Sequence, residues 1–161
     1  MRYWLMKSEP SVYSIEHLAR DGRTRWNEIR NFMARNYMTQ SMKPNDLALF
    51  YHSNADPPGV AGLMRISAPA APDETQFAPR GDHFEKRATR DVPVWFSVEV
   101  EFVAKASELV PLEVLRAHRK LAKMELLRKG SRLSIQPVTA AEFKVVAKLA
   151  GLAGLAGLAG L

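Results

Sequence analysis

The stretch Trp26-Asn27-Glu28-Ile29-Arg30-Asn31-Phe32-Met33-Ala34-Arg35-Asn36 gathers recognition chemistry within eleven residues: one indole, two Arg-Asn pairs and a phenyl ring. Arg offers a planar fork of donors, Asn a donor and an acceptor on one amide, and Trp a flat face for stacking. Together they suit a planar polar ring held beside a phosphate. A solvated helix start with a buried Trp uses the same residues. Residue chemistry alone leaves the two readings open.

The elements around this stretch follow from capping residues and alternation. Asn31 is a plausible N-cap for a helix over residues 32–42, and Asn31 and Arg35 share one side of it. The free N–H groups at its start make an anion site conceivable. Upstream, residues 3–7 read as a buried strand stopped by Pro10, and Ser14 caps a short helix ended by Asp21-Gly22. Downstream, residues 47–52 form a strand. Leu49, Tyr51 and Ser53 face one way, and Ala48, Phe50 and His52 the other. Residues 60–66 return as its hairpin partner, where Gly62 marks a close backbone approach or a ligand lying against the strand.

Residues 67–93 are rich in Pro, Ala and charge and read as one long loop, functional or simply mobile. Residues 94–103 alternate as a strand with Phe96, Val98, Val100 and Phe102 on one face. Trp95 is out of phase with them, either covering the outside of the sheet or packing under the long loop, or else offering a stacking surface. Residues 111–118 and 120–128 are short helical pieces, the second carrying a Lys/Arg run that reads as a solvated positive face. In the strand 132–137, Leu133 and Ile135 point inward while Arg132, Ser134 and Gln136 share the other face. Thr139 and Glu142 form a capping box for a last helix buried through Phe143, Val146, Ala147 and Ala150. Residues 1–150 read as one domain. Residues 151–161 are a Gly-Leu-Ala repeat that matches neither helix nor strand and is expected to fray.

Composition narrows the function classes. The chain of 161 residues has 47% hydrophobic and 25% charged residues, a globular balance. It has no cysteine, and its four His are scattered, so neither a thiol site nor a metal site is expected. No apolar run is long enough to span a membrane, and the first residues do not resemble a signal peptide, so a cytoplasmic protein is expected. A net charge of +6 favours polyanionic partners. Phosphate-loop and dinucleotide glycine motifs are absent. His52 and Ser53 are strand neighbours pointing apart, and Lys7, Ser8 and Glu9 are adjacent residues that rarely converge on one atom. No catalytic residue, metal or cofactor is therefore expected.

Five short motifs then occur in order: Trp4-Leu5-Met6-Lys7-Ser8-Glu9-Pro10, Arg30-Asn31 with Ala34-Arg35-Asn36, Phe50-Tyr51-His52-Ser53, Gly59-Val60-Ala61-Gly62 and Arg132-Leu133-Ser134-Ile135-Gln136-Pro137-Val138. Together, over residues 3–149, they closely resemble the EVE domain family. Three positions differ from the family's usual pattern. Asn27-Glu28 stands where Asp-Gly is usual, Met33 replaces a Gln, and His83-Phe84-Glu85-Lys86-Arg87 replaces Tyr-Tyr-Asp-Pro-Lys.

The resemblance implies an α+β, PUA-like fold: a small mixed β-barrel flanked by short helices and related to the YTH readers of methylated RNA. It implies a non-catalytic module that binds nucleic acid, DNA or RNA, by taking a flipped, methylated base into an aromatic-lined pocket. A monomer without metal or membrane partners is expected. On this reading Trp26 stacks on the base, opposed by Tyr51 or Trp95. Ser8, Asn31, Ser53 and Gln136 read its edge, and Lys7, Arg30, Arg35 and Arg132 hold phosphates. Two other classes compete. One is an enzyme using His52, Lys7 or Glu9 as acid or base. The other is a protein-interaction domain with a vestigial pocket.

Overall fold

The computed structural model describes residues 1–155. Its strands are β1 (Tyr3–Ser8), β2 (Arg23–Arg25), β3 (Leu47–His52), β4 (Gly59–Pro72), β5 (Phe96–Pro111) and β6 (Ile135–Val138). Its helices are α1 (Ile15–Asp21), α2 (Phe32–Asn36), α3 (Leu112–Ala117) and α4 (Ala140–Leu149). The six strands form one sheet in the order β2-β5-β4-β3-β1-β6. β1 and β3 run parallel, and the other neighbours are antiparallel.

Both faces of this sheet are covered, which explains the unbroken apolar runs of β1 and β3. Alternation sends Leu5, Leu49 and Tyr51 to one face, where they pack with Leu63, Leu115 and the α4 residues Phe143 and Val146. It sends Trp4, Met6 and Phe50 to the other, with Trp26, Met64, Val98 and residues of α1 and α2. The two faces are separate cores, and this division decides which sequence-predicted site residues can meet.

The sheet is not closed as a barrel, contrary to the expectation from family resemblance. β2 has three residues and pairs with β5; β6 has four and pairs with β1. They stand at opposite ends of the strand order. Curvature comes instead from the long β4–β5 pair, whose register shifts at four places. Gly62 sits in this pair. A Cβ there would lie 2.6 Å from the Ala104 carbonyl oxygen and 2.6 Å from Ile15 Cδ1, so its close approach is to the chain itself.

Ser14, Asn31 and Thr139 all cap helices as their sequence context predicts, Ser14 with His17 and Thr139 with Glu142 in reciprocal capping boxes. The helix after Asn31 is shorter than the expected 32–42: α2 ends at Asn36 and a π turn over Tyr37–Ser41 completes it. The segment expected as a loop from residue 67 begins as strand, because β4 runs on to Pro72. The basic piece 120–128 is two 3-10 turns, Arg119–Leu121 and Glu125–Leu127. No helix among the described residues is long and apolar enough to cross a membrane.

The core also continues past the boundary expected at residue 150. Gly151 at φ 71° closes α4 in a Schellman motif, its N–H donating to the Lys148 carbonyl and the Leu152 N–H to the Ala147 carbonyl. Leu152 is thereby turned back and buried beside Phe143 and Val146. Residues 156–161, the rest of the repeat expected to fray, lie outside the described residues. Leu152→Ala should lower the unfolding free energy by about 2–3 kcal/mol, measured by urea denaturation; an unchanged midpoint would mean that Leu152 is not part of the core.

Candidate nucleic-acid interface

Trp26 and the end of β1 share a cavity of about 290 Å³. Its walls are Lys7 and Ser8 of β1, Val12 and Tyr13 before α1, and residues 24–29 leaving β2. The volume suits one ring system, at the lower end of small-molecule pockets. Trp26 is fixed from behind. Its backbone N–H donates to the Val98 carbonyl at 2.9 Å, and its ring meets Phe50 edge-on at 5.4 Å and 86°. The Ser8 hydroxyl donates to the Tyr13 carbonyl at 2.6 Å and ties two walls together. Ser53 lies alongside, its N–H donating to the Ser8 carbonyl at 3.0 Å.

The wall that follows Trp26 is held by a buried carboxylate. Asp73, fully buried, accepts the Glu28 N–H at 2.7 Å and Arg30 Nη1 at 3.1 Å on one oxygen. The other oxygen accepts the Thr75 N–H at 2.8 Å and the Thr75 hydroxyl at 2.6 Å. Burial alone would raise the Asp73 pKa, but these hydrogen bonds outweigh it and hold the carboxyl below its ordinary value. Glu28 adopts φ 72°, a left-handed conformation that costs a residue with a Cβ about 1–2 kcal/mol. The family's usual Gly at this place is explained by that backbone.

The structure brings only part of the predicted site together. Trp26, Ser8 and Lys7 line the cavity, with Ser53 beside it. Tyr51 does not oppose Trp26, because strand alternation buries it in the core on the other face. Gln136 is also on that face, opposite Leu5 in the β1–β6 register and 1% exposed. Its amide nitrogen donates to the Leu133 carbonyl at 2.9 Å, while its Oε1 is buried without a partner. Asn31 spends its side-chain oxygen on the Ala34 N–H as helix cap, and α2 is too short to make an anion site.

Trp95, Arg30 and Arg35 hold the long loop in place. Trp95 is buried, stacks on Phe32 at 4.9 Å and donates its indole N–H to Glu85 at 3.1 Å. Arg30 also donates to Thr75 Oγ1 at 2.9 Å and the His83 carbonyl at 2.7 Å, with its guanidinium 5.5 Å from the Trp95 ring centre. Arg35 donates to the Val94 carbonyl at 3.1 Å and lies over Phe32. These two guanidinium groups are committed within the chain, contrary to their expected role on phosphates. Arg132 is exposed.

Several residues here escaped the sequence reading. Gln76, fully buried, donates to the Asp73 and Trp95 carbonyls and accepts from the Val94 and Trp95 N–H groups. Nothing in its local sequence marks it. Tyr13, Thr24, Arg25 and Ile29 line the cavity; a Tyr directly before the helix cap Ser14 was the available signal.

Titratable groups near the site are tuned mainly by burial. Burial pushes the Lys7 ammonium below its ordinary pKa, partly offset by the nearby Glu125. Burial likewise lowers His52, whose Nε2 accepts the Ile15 N–H at 3.1 Å and so requires the neutral ring. The hydrogen bonds from Arg87, and then that from Trp95, hold Glu85 down at about 2. The Glu9 carboxylate accepts from the Asn54 amide at 2.6 Å. Among the described residues no group of three or more His, Cys, Asp or Glu is placed to hold a metal.

The profile of the EVE domain matches residues 2–149. The chain belongs to the EVE domain family. Human thymocyte nuclear protein 1 is 38% identical over 165 residues, which span 91% of this chain and 73% of that protein. A crystal structure of the human protein in complex with DNA containing 5-methylcytosine superposes with a TM-score of 0.86, covering 93% of this chain and 98% of that one at 38% identity. A hypothetical protein from Leishmania major superposes with a TM-score of 0.89 at 39% identity, covering 94% of this chain and 95% of that chain.

Two outcomes test this construction. Asp73→Ala leaves Arg30 partly buried without its carboxylate and should cost about 3 kcal/mol or more, with faster proteolysis within residues 74–95. Retention of wild-type protease resistance would show that Asp73 does not hold the loop. His52 titrates at its ordinary value when unfolded and lower when folded, so the unfolded chain takes up the proton first. Its contribution to stability is complete above about pH 6.5 and is lost as pH falls toward the folded value. Wild type should therefore lose more stability than His52→Gln between about pH 7.5 and 5.5 in denaturant titrations.

Proposed function

We propose that this protein binds DNA carrying 5-methylcytosine and receives the modified base, turned out of its strand, in the Trp26 cavity. The observation that carries this reading is the human relative in complex with 5-methylcytosine-containing DNA, alike over nearly the whole chain. The cavity fits the role. It is sized for one ring and has among its lining residues Trp26, whose indole is backed by Phe50. Ser8, Asn27 and Lys7 are also among its lining residues. A fixed aromatic face stabilises a stacked base by about 1–3 kcal/mol, and backbone contacts supply the remaining affinity.

Recognition proceeds without a reaction. The groups that would serve as acid or base in an enzyme are engaged structurally: His52 accepts a backbone N–H, and Glu9 accepts from Asn54. The protein acts as a monomeric reader in this proposal.

The test is a binding titration with duplexes that differ only in one 5-methylcytosine. Wild type should prefer the methylated duplex. Trp26→Phe should keep the preference, and Trp26→Ala should lose about tenfold or more in affinity for it, in line with one lost stacking partner. Equal affinities of wild type and Trp26→Ala, with both proteins folded by circular dichroism, would exclude Trp26 from recognition.

A further inference from the structure

The net charge of this protein has a single address. Between residues 116 and 132 the chain carries seven Lys and Arg against one Glu, a surplus of six that equals the surplus of the whole chain. Outside this segment, positive and negative side chains balance. All seven cations, Arg116, Arg119, Lys120, Lys123, Arg128, Lys129 and Arg132, are exposed. Among the described residues only Arg128 of the seven has a carboxylate within 4.0 Å, Glu125 at 3.6 Å. Of the sixteen cations elsewhere, seven are ion-paired: Arg20, Arg23, Arg30, Arg65, Arg87, Arg90 and Lys105.

The segment is anchored. Leu121, Met124 and Leu126 are buried in the Leu5–Leu49 core and keep its two 3-10 turns on the sheet, leaving the cations outside. Its end feeds directly into β6, and the Ser134 carbonyl accepts the Lys7 N–H at 2.8 Å. Lys7 is also a wall of the cavity, and Glu125 lies close enough to influence its ammonium. The segment covers the face of the sheet opposite Trp26, and its end reaches the cavity at the end of β1, through the Lys7–Ser134 hydrogen bond.

We propose that residues 116–132 form the surface that grips the phosphodiester backbone of the DNA whose base enters the Trp26 cavity; this rests on the function proposed above. The segment takes the part that the sequence reading gave to Arg30 and Arg35, both committed to the loop. Seven exposed cations, six of them without a carboxylate within 4.0 Å among the described residues, on a segment whose end adjoins a base-sized cavity, match a polyanion that wraps the edge of the sheet and whose binding is driven by counterion release. The division of labour is definite: phosphate contacts position the duplex, and the cavity selects the base.

The experiment measures binding of the full chain to methylated and unmodified duplexes across about 50–300 mM salt, where each phosphate contact contributes about 0.9 to the slope of log affinity against log salt. Removing four charges with Arg119→Gln, Lys120→Gln, Lys123→Gln and Lys129→Gln should reduce that slope by about 3.6 for both duplexes and leave the methyl preference intact. Lys144→Gln with Lys148→Gln on α4 should leave the slope unchanged. Two results would overturn the proposal: an unchanged slope in the fourfold variant, or an equal loss per charge in the α4 pair. Loss of the methyl preference question itself is read separately: a wild type that binds both duplexes alike refutes base selection while the slopes still decide the role of the segment. Failure of wild type to bind either duplex overturns both.

Discussion

The fully buried carboxylate of Asp73 holds together parts of the chain that have no sequence proximity. It accepts from Glu28, Arg30 and Thr75, and so joins the segment after Trp26 to the end of β4. A buried anion is tolerable only with such compensation, and once compensated it dictates the positions of its donors. From it follow the left-handed turn at Glu28, the orientation of Arg30 over Trp95, and the course of the loop back to β5. The cavity wall therefore owes its shape to a residue that does not line it.

The two-faced sheet sets the second limit on the site. Each strand delivers alternate side chains to separate cores, so residues close in sequence are divided between them. Trp26 and Phe50 meet on one side, while Tyr51 and Gln136 lie on the other. Trp26 thus has Phe50 as its support from β3, and Tyr51 of the same strand faces away from it.

Much of the local structure was legible because it depends on short-range chemistry. Ser14, Asn31 and Thr139 cap the helices their neighbours predict, and the alternation of residues 47–52 and 96–102 gives the correct faces. What escaped the sequence depends on long-range partners. Arg30 and Arg35 look like phosphate ligands until the loop carbonyls of His83 and Val94 are seen to take them. Gln76 makes four hydrogen bonds that only the folded loop reveals. Sheet closure was out of reach for the same reason, since it depends on whether two very short edge strands find each other.

Glu28 has a consequence for the direction from which a ligand arrives. Its backbone is strained to satisfy Asp73, and its side chain, about half exposed, stands at the cavity where the family's usual Gly would leave nothing. Lys7 of β1 also lines the cavity, but its ammonium lies 5.9 Å from the Tyr51 ring centre, toward the other face of the sheet. Glu28 therefore sets a negative charge at the opening that a Gly would not. A polyanion is repelled from that side. A backbone concession made for loop packing thus decides the sign of the charge beside the cavity.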